Sequence, residues 1–513
     1  MAGALIQLVA LGTQDTKLTK DAQISFFKSS YRPYVNFAME AIENSFSGQA
    51  DFGKRFVAEL SRSGDLVLDF LMEMTLPNIS IAQDNDSERV QWIDNIGDTM
   101  VKRVAINIGG QKIDEHFSEY FTIWNELTMP AAKKAGYNDL IGQQNLQEVK
   151  AQGASGVGQA YAGYPGTVVS VADPDVRSAD ADCRYSTAVT HKYDGLQTPK
   201  IKHCAQKVNF IPRFWFNENP GLALPLIALQ YHQVKVEFEL RPLTDLYVTT
   251  GDATSGPNGN NTALDIAETR ASLVDLKLWV NYVFLEAAER RITAKKSHEY
   301  LITQVQSSDE SVTASNSRIR LGFNHPCMEL IWAVREENAA EAKEWTNFNT
   351  FDYDRGFYTT IPELNPFVSC KLQIHGQDRF TQRDGDYFTR YQPYKYHTRV
   401  PASKGICVYS FSLNPESKQP NGTANFSRID QPILQVNFRQ ISSALTGKFF
   451  VYGRNVNLFR VAGGMGGKRC STENVHAMPP RAISSTSQEG KIEDLRIASL
   501  LDSRSTFAEC SGF

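Results

Sequence analysis

Val234-Lys235-Val236-Glu237-Phe238-Glu239-Leu240 alternates strictly between apolar and charged residues. Side chains on a strand point to opposite faces with a period of two, so this segment reads as a strand with one dry face and one wet one. The pattern recurs through the chain. Leu276, Leu278, Val280, Tyr282 and Phe284 repeat it, as do Leu434, Val436 and Phe438 against Gln435, Asn437 and Arg439. Leu66, Leu68, Phe70, Met72, Met74 and Leu76 form a further set beside Asp69 and Glu73. Helical periodicity is scarce: Glu115–Glu126, Glu336–Glu344 and Ile492–Leu501 are the best candidates, all short. Many alternating strands separated by turn-rich sequence predict an all-β protein built from sandwiches.

The chain's 513 residues are too many for one ordinary core, and 21% charged with 42% hydrophobic residues is a normal globular balance. Its 29 Phe, 20 Tyr and 6 Trp favour half-buried pleated surfaces. Net charge is −4, and the first sixty residues balance six basic against six acidic side chains. That distribution lacks the basic stripe that displaces counterions from phosphates, which argues against direct nucleic-acid binding. Seven cysteines at 183, 204, 327, 370, 407, 470 and 510 form no CxxC pair, as expected of reduced thiols in a protein made in the cytosol. No span of 18 apolar residues is present to cross a bilayer, and Ala2–Leu11 lacks the basic start of a secretory signal.

Two long irregular stretches, 140–200 and 242–270, interrupt the first half and predict displayed loops. Glu286–Ser297 is charged and poor in apolar residues, and a new strand pattern starts at His298, which places a domain boundary there. The expected organisation is an arm over 1–24, a first sandwich over 25–287, a linker over 288–298, a second sandwich over 299–471 and an extension over 472–513.

Motifs that carry chemistry fail one by one. Ala462–Arg469 looks like a phosphate-binding loop but lacks the opening Gly and the Ser/Thr after Lys468, so a glycine-rich bend closing a strand is the better reading. Gly156 and Gly158 are followed by Tyr161 where a dinucleotide fingerprint needs its third Gly. His298-Glu299 has Ile302 in place of a second zinc-binding His. Cys183, His203 and Cys204 offer three ligands without a fourth, and Asp378, Asp384 and Asp386 alternate with Arg379 and Arg383 as an ion-paired turn would. No catalytic, cofactor-binding or metal-binding residues are therefore assigned, and no enzyme activity is expected.

Longer blocks carry a resemblance. The opening Leu5–Asp15 (LIQLVALGTQD), Gln23–Lys28 (QISFFK) and Tyr31–Ala38 (YRPYVNFA) are followed in order by Pro220–His232 (PGLALPLIALQYH), His298–Ile302, Asn324–Pro326 with Leu330–Trp332, and Gly376–Phe380 (GQDRF). Tyr409–Leu413 leads into Gln419–Asp430 (QPNGTANFSRID), and Tyr452–Arg460 closes the set. Together these resemble the major capsid proteins of nucleocytoplasmic large DNA viruses, nearest to the phycodnavirus and iridovirus-like branches. Pro33 and Asn421 depart from the usual residues of those blocks.

The resemblance implies two consecutive eight-stranded antiparallel jelly rolls, with long loops in the first and a few short helices. It implies a homotrimer of pseudo-hexagonal outline, trimer–trimer lattice contacts, and an icosahedral shell over an internal membrane. Minor capsid, cement and penton proteins would be its partners, and no cofactor is implied. The residues that carry the family pattern are Phe26, Phe27, Asn36, Phe37, Pro220, Gly221, Pro225, His325, Pro326, Asp378, Arg379, Phe380, Pro420, Gly422, Asn425, Ser427, Arg428 and Asp430. On a strand, Arg428 and Asp430 would share a face opposite Ile429, as an ion pair, a subunit contact or a solvated edge. Jelly rolls also carry glycans, so a carbohydrate-binding or carbohydrate-active sandwich is the alternative, with Tyr161, Tyr164 and Tyr193 placed for sugar stacking.

Overall fold

In the computed structural model the alternating segments become two stacked antiparallel sandwiches. Residues 3–23, 27, 29, 31–80, 89–93, 95–142, 202–203, 206–250, 272–341, 343–349, 365–439, 441 and 446–468 are described. The first sandwich uses β1 (Phe37–Asn44), β2 (Arg55–Glu59), β3 (Leu66–Leu76), β4 (Val101–Ile108), β5 (Gln111–Phe117), β6 (Gln206–Phe210), β7 (Val234–Leu240) and β8 (Asp275–Leu285). The second uses β9 (His298–Val312), β10 (Asn316–Arg320), β11 (Pro326–Glu336), β12 (Phe367–Ile374), β13 (Gln377–Asp378), β14 (Ile406–Ser410), β15 (Ile433–Phe438) and β16 (Gly447–Ala462).

The sheet orders in the first half are β1-β8-β3-β6 and β2-β7-β4-β5. In the second half they are β9-β16-β11-β14 and β10-β15-β12-β13. Adding eight to each of these main strands of the first half reproduces the second, with the short strands Phe46–Ser47, Arg383–Asp384, Ala424–Asn425 and Met465–Lys468 as additions at the margins. Each half is thus an eight-stranded jelly roll, and one topology occurs twice although no sequence repeat reveals it.

Alternation sets which side chains fill each roll. Phe56, Phe70, Met72, Val236, Phe238, Val280 and Tyr282 point into the first core. Leu330, Trp332, Val334, Cys407, Leu434, Val436, Phe449 and Val451 point into the second. Two hairpins need left-handed backbone. His375 and Gly376, at φ 52° and 77°, join β12 to β13, and Gly463 and Gly464, at φ 60° and 82°, join β16 to a last strand, Met465–Lys468. The supposed phosphate loop is this second hairpin.

Helices depart from the sequence expectations. The arm forms α1 (Gly3–Val9) and α2 (Thr13–Thr19), with no buried residue in either. The helix expected over Glu115–Glu126 starts later, because Glu115–Phe117 finish β5. After α3 (Ile96–Met100), α4 spans Ser118–Thr128 and α5 spans Ala131–Ile141, inside which the irregular stretch was expected to begin. Glu286–Ser297 contains α6 (Ala287–Lys295), and the helix expected over Glu336–Glu344 is cut to Glu337–Glu341 because β11 runs through Glu336. In the second roll a π-turn (Tyr387–Tyr391) leads into α7 (Gln392–Tyr396). The expected helix at Ile492–Leu501 and nearly all of 140–200 lie outside the described residues; within 242–270 the short strand Tyr247–Thr250 is described.

Candidate assembly surfaces

Apolar residues three and four apart put Tyr120, Ile123, Trp124 and Leu127 on one face of α4. That face does not return to its own roll. It packs on Ile331 and Ala333 of β11, Ile406 and Val408 of β14, and Phe450 and Tyr452 of β16, forming a separate apolar cluster. These are the outward-facing positions of the second roll's four-stranded sheet, so both faces of that sheet are dry.

Charges sealed into this seam are paired. Glu119 of α4 accepts from Arg241 Nη2 at 3.1 Å and Arg335 Nη1 at 3.2 Å. Both guanidinium groups lie over the Trp345 ring, at 4.4 and 4.9 Å. Burial by itself raises the Glu119 pKa, but Arg335 and Arg241 outweigh it and hold the carboxyl below its usual range. A second cluster centres on Glu329, fully buried on β11. Arg454 Nη1 lies 3.1 Å from its Oε1, and His397 Nε2 lies 3.0 Å from its Oε2 as an ion contact whose angle is not that of a hydrogen bond. His397 Nδ1 meets Glu416 Oε1 at 3.0 Å, and Arg454 stacks on Trp124 of α4 at 4.2 Å. Burial opposes a charged imidazole, yet Glu329 and Glu416 overcome it and push His397 up to about 9.

The hairpin after β16 makes a second weld. Tyr231 N donates to Gly464 O at 2.9 Å, and Lys468 N donates to Gln111 Oε1 at 3.1 Å. A Cβ on Gly466 would sit 2.5 Å from Leu229 Cδ2, so a larger residue there would have to push that side chain aside. The Pro220–His232 block and the glycine hairpin, more than 200 positions apart in sequence, therefore meet.

Other family-pattern residues build turns. Asn425 Oδ1 accepts from Ser427 N at 3.0 Å, and Ser427 Oγ accepts from His325 N at 2.8 Å. Phe426 N donates to His325 O at 3.1 Å, and Pro326 pairs with Asn425, so the turn clamps the start of β11. The Phe426 ring is buried in the second core. Gly422, at φ 148°, passes close to Phe411 O, and Pro420 is half-buried beside it. Arg428 and Asp430 do not lie on a strand, because Phe426–Arg428 is a 3-10 turn; both are exposed, and Asp430 faces His375 at 4.0 Å rather than Arg428. Asp378 bonds Lys371 at 2.7 Å, Arg379 N donates to Leu372 O at 2.8 Å, and the Phe380 ring lies 4.8 Å from that of Tyr409.

Pro220 and Gly221 start a 3-10 turn whose Gly221 N is capped by Asn219 Oδ1, and Pro225 precedes another. Asn36, Phe37 and Phe27 are exposed and apart from these clusters; Phe26 lies outside the described residues. Among the described residues no group of three His, Cys, Asp or Glu side chains is placed to hold a metal ion. No described helix is long and apolar enough to cross a membrane. Sequence reasoning missed the seam residues Glu119, Glu329, His397 and Arg454. Their one signal is a charged residue inside an otherwise apolar run, as in Leu330–Val334 beside Glu329.

A duplicated jelly roll whose buried polar groups weld sheets together defines a structural coat subunit. The chain belongs to the major capsid protein family of large eukaryotic DNA viruses. Residues 25–286 match the family described as "Major capsid protein N-terminus", and residues 289–467 match "Large eukaryotic DNA virus major capsid protein". The major capsid protein of Phaeocystis pouchetii virus is 34% identical, with 91% of this chain and 99% of the relative covered. That of Paramecium bursaria Chlorella virus 1 is 31% identical over the same shares. Among solved structures, PBCV-1 VP54 superposes with a TM-score of 0.63 at 26% identity, covering 87% of this chain and 100% of VP54. The Faustovirus major capsid protein shares the fold at a TM-score of 0.66 and 14% identity, covering 90% and 96%. The chain is thus a structural protein of the viral capsid that assembles with copies of itself.

Proposed function

We propose that the chain works as a homotrimer of pseudo-hexagonal outline, the repeating block of an icosahedral shell. The observation that carries this is the strand order repeated with a shift of eight. Two similar rolls per chain give three chains six similar flanks, so threefold symmetry suffices to tile a hexagonal lattice. Interfaces within the trimer are expected to exceed about 2,000 Å², and those between trimers to be smaller and more polar.

In this reading the arm 1–24 and the extension 472–513 flank rolls at 25–287 and 299–471, joined through 288–298. The family-pattern residues act as structure-forming turns. Minor capsid, cement and penton proteins are its partners, an internal membrane lies near, and the near-neutral charge keeps it off nucleic acid. It is made late in infection, in the host cytoplasm, and has no enzyme activity. The test is light scattering after size exclusion, with imaging of negatively stained particles. A mass of three chains and a six-sided outline are expected; monomers retained on glycan beads would favour the carbohydrate alternative, whose Tyr161, Tyr164 and Tyr193 lie outside the described residues.

A further inference from the structure

We propose that the outer face of the first roll's four-stranded sheet is covered by α7 of a second copy of the chain, repeating between chains the contact that α4 makes within one. This rests on the trimer reading above and names the surfaces that make it.

The eight-strand shift supplies the mapping. α4 lies between β5 and β6, and α7 lies between their equivalents β13 and β14. α4 seals the outer face of β9-β16-β11-β14, where Ile331 pairs with Tyr452 and both are almost wholly buried. The equivalent pair in the first roll is Leu71 with Trp279, outward-facing and only half-buried. Beyond them the apolar surface widens. Val35, Phe37 and Met39 alternate onto the outer face along the chain's entry into β1, and are 46%, 52% and 59% exposed. Among the described residues β1 bonds a neighbour on one side only. An apolar sheet face of this kind is an interface left open in the isolated chain.

Among the described residues the matching donor is also uncovered. Tyr394 on α7 is 78% exposed and Tyr391 just before it, stacked on Tyr387, is 49% exposed, whereas Ile123 and Trp124 on the sealed face of α4 are buried. Charge fits as well. Tyr387–Tyr396 carries Arg390 and Lys395 and no acidic residue, while the open face carries Glu43, Asp69 and Glu73 together with Lys277 and Lys207. With Glu73 held by Lys207 and Asp69 by Asn281, it is Glu43 that faces outward for Lys395. Within the chain the signs are reversed, with Glu119 on the helix and Arg335 on the sheet. Each copy thus presents one donor and one acceptor that differ, a head-to-tail contact that forms a ring when its rotation closes.

The test uses full-length chains. A Tyr394→Cys chain is mixed with a Met39→Cys chain and treated with a short bismaleimide, with the wild type as the background for native cysteines. Cross-linked dimers well above background in the mixture, and at background for either variant alone, are expected. Background levels in the mixture while the wild type scatters as a trimer would overturn the contact and leave the trimer standing, as would dominant 39–39 or 394–394 links. A monomeric wild type would instead overturn the trimer reading itself. In parallel, Tyr394→Asp is expected to weaken association roughly 30-fold or more with the far-ultraviolet dichroism unchanged. Lys395→Glu is expected to weaken it at low salt, with Glu43→Lys restoring it in the double variant; no effect of either variant on trimer mass would also overturn the contact.

Discussion

The two four-stranded sheets have the same strand order and fill their cores alike, but differ on their outer faces. On β11 every residue from Cys327 to Glu336 is buried, whereas on β3 buried and half-buried residues largely alternate. The difference comes from what lies outside. α4 and its paired charges cover β11, and among the described residues nothing covers β3 to that extent. A strand dry on both sides must tolerate apolar residues at consecutive positions, and any charge it carries has to bring its partner with it.

That contrast predicts unequal responses to substitution. Removing the Glu329 side chain (Glu329→Ala) leaves Arg454 buried without its carboxylate and His397 with Glu416 alone. It should destabilise the chain by about 3–5 kcal/mol in urea unfolding. Leu71→Ala on the open face should cost no more than about 1 kcal/mol in the dissociated chain. Equal costs would break the comparison.

The QPNGTANFSRID block divides in the same way. Phe426→Ala opens a hole in the second core and should cost about 3 kcal/mol, while Arg428→Ala, exposed on the same turn, should stay within about 0.5 kcal/mol. A large effect at Arg428 in the dissociated chain would mean that the turn is held by charge.

The sealed face should also respond to alkali. His397 is raised from 6.5 to about 9, because its carboxylate neighbours outweigh the opposing effect of burial. Its contribution is present in full below pH 6.5 and fades as the pH climbs through about 9. Glu329 and Glu416 act on the other side. Burial alone would raise both, but their cationic partners lower them, so their contribution fades as the pH falls through their depressed values. Thermal midpoints should therefore decline between pH 6.5 and 9, and His397→Gln should flatten that limb. An unchanged slope would place the titration elsewhere. A modest effect is expected at Asn425→Ala, which removes the acceptor for Ser427 N and should cost about 1 kcal/mol.

How much of this was legible in the sequence follows from which face of a strand is wet. Val234–Leu240 alternates because its outer residues meet solvent, and it appeared as β7 over the same residues. The start of α4 was misplaced because Ile113–Phe117, with His116 and Asp114 buried together, carries no period that separates strand from helix. The turn at Phe426–Arg428 has no local mark in the sequence because its hydrogen bonds run to His325, about a hundred positions away. The seam was invisible for the same reason. Glu329 and Arg454 are 125 positions apart, and nothing local to either announces the other.

Hydrogen exchange of the chain, assembled and then dissociated, tests the asymmetry most directly. Peptides from β11 and β16 should be protected in both states, and peptides from β1 and the outer half of β8 only in the assembly. Equal protection of β1 in the two states, or loss of protection in β11 on dissociation, would contradict it.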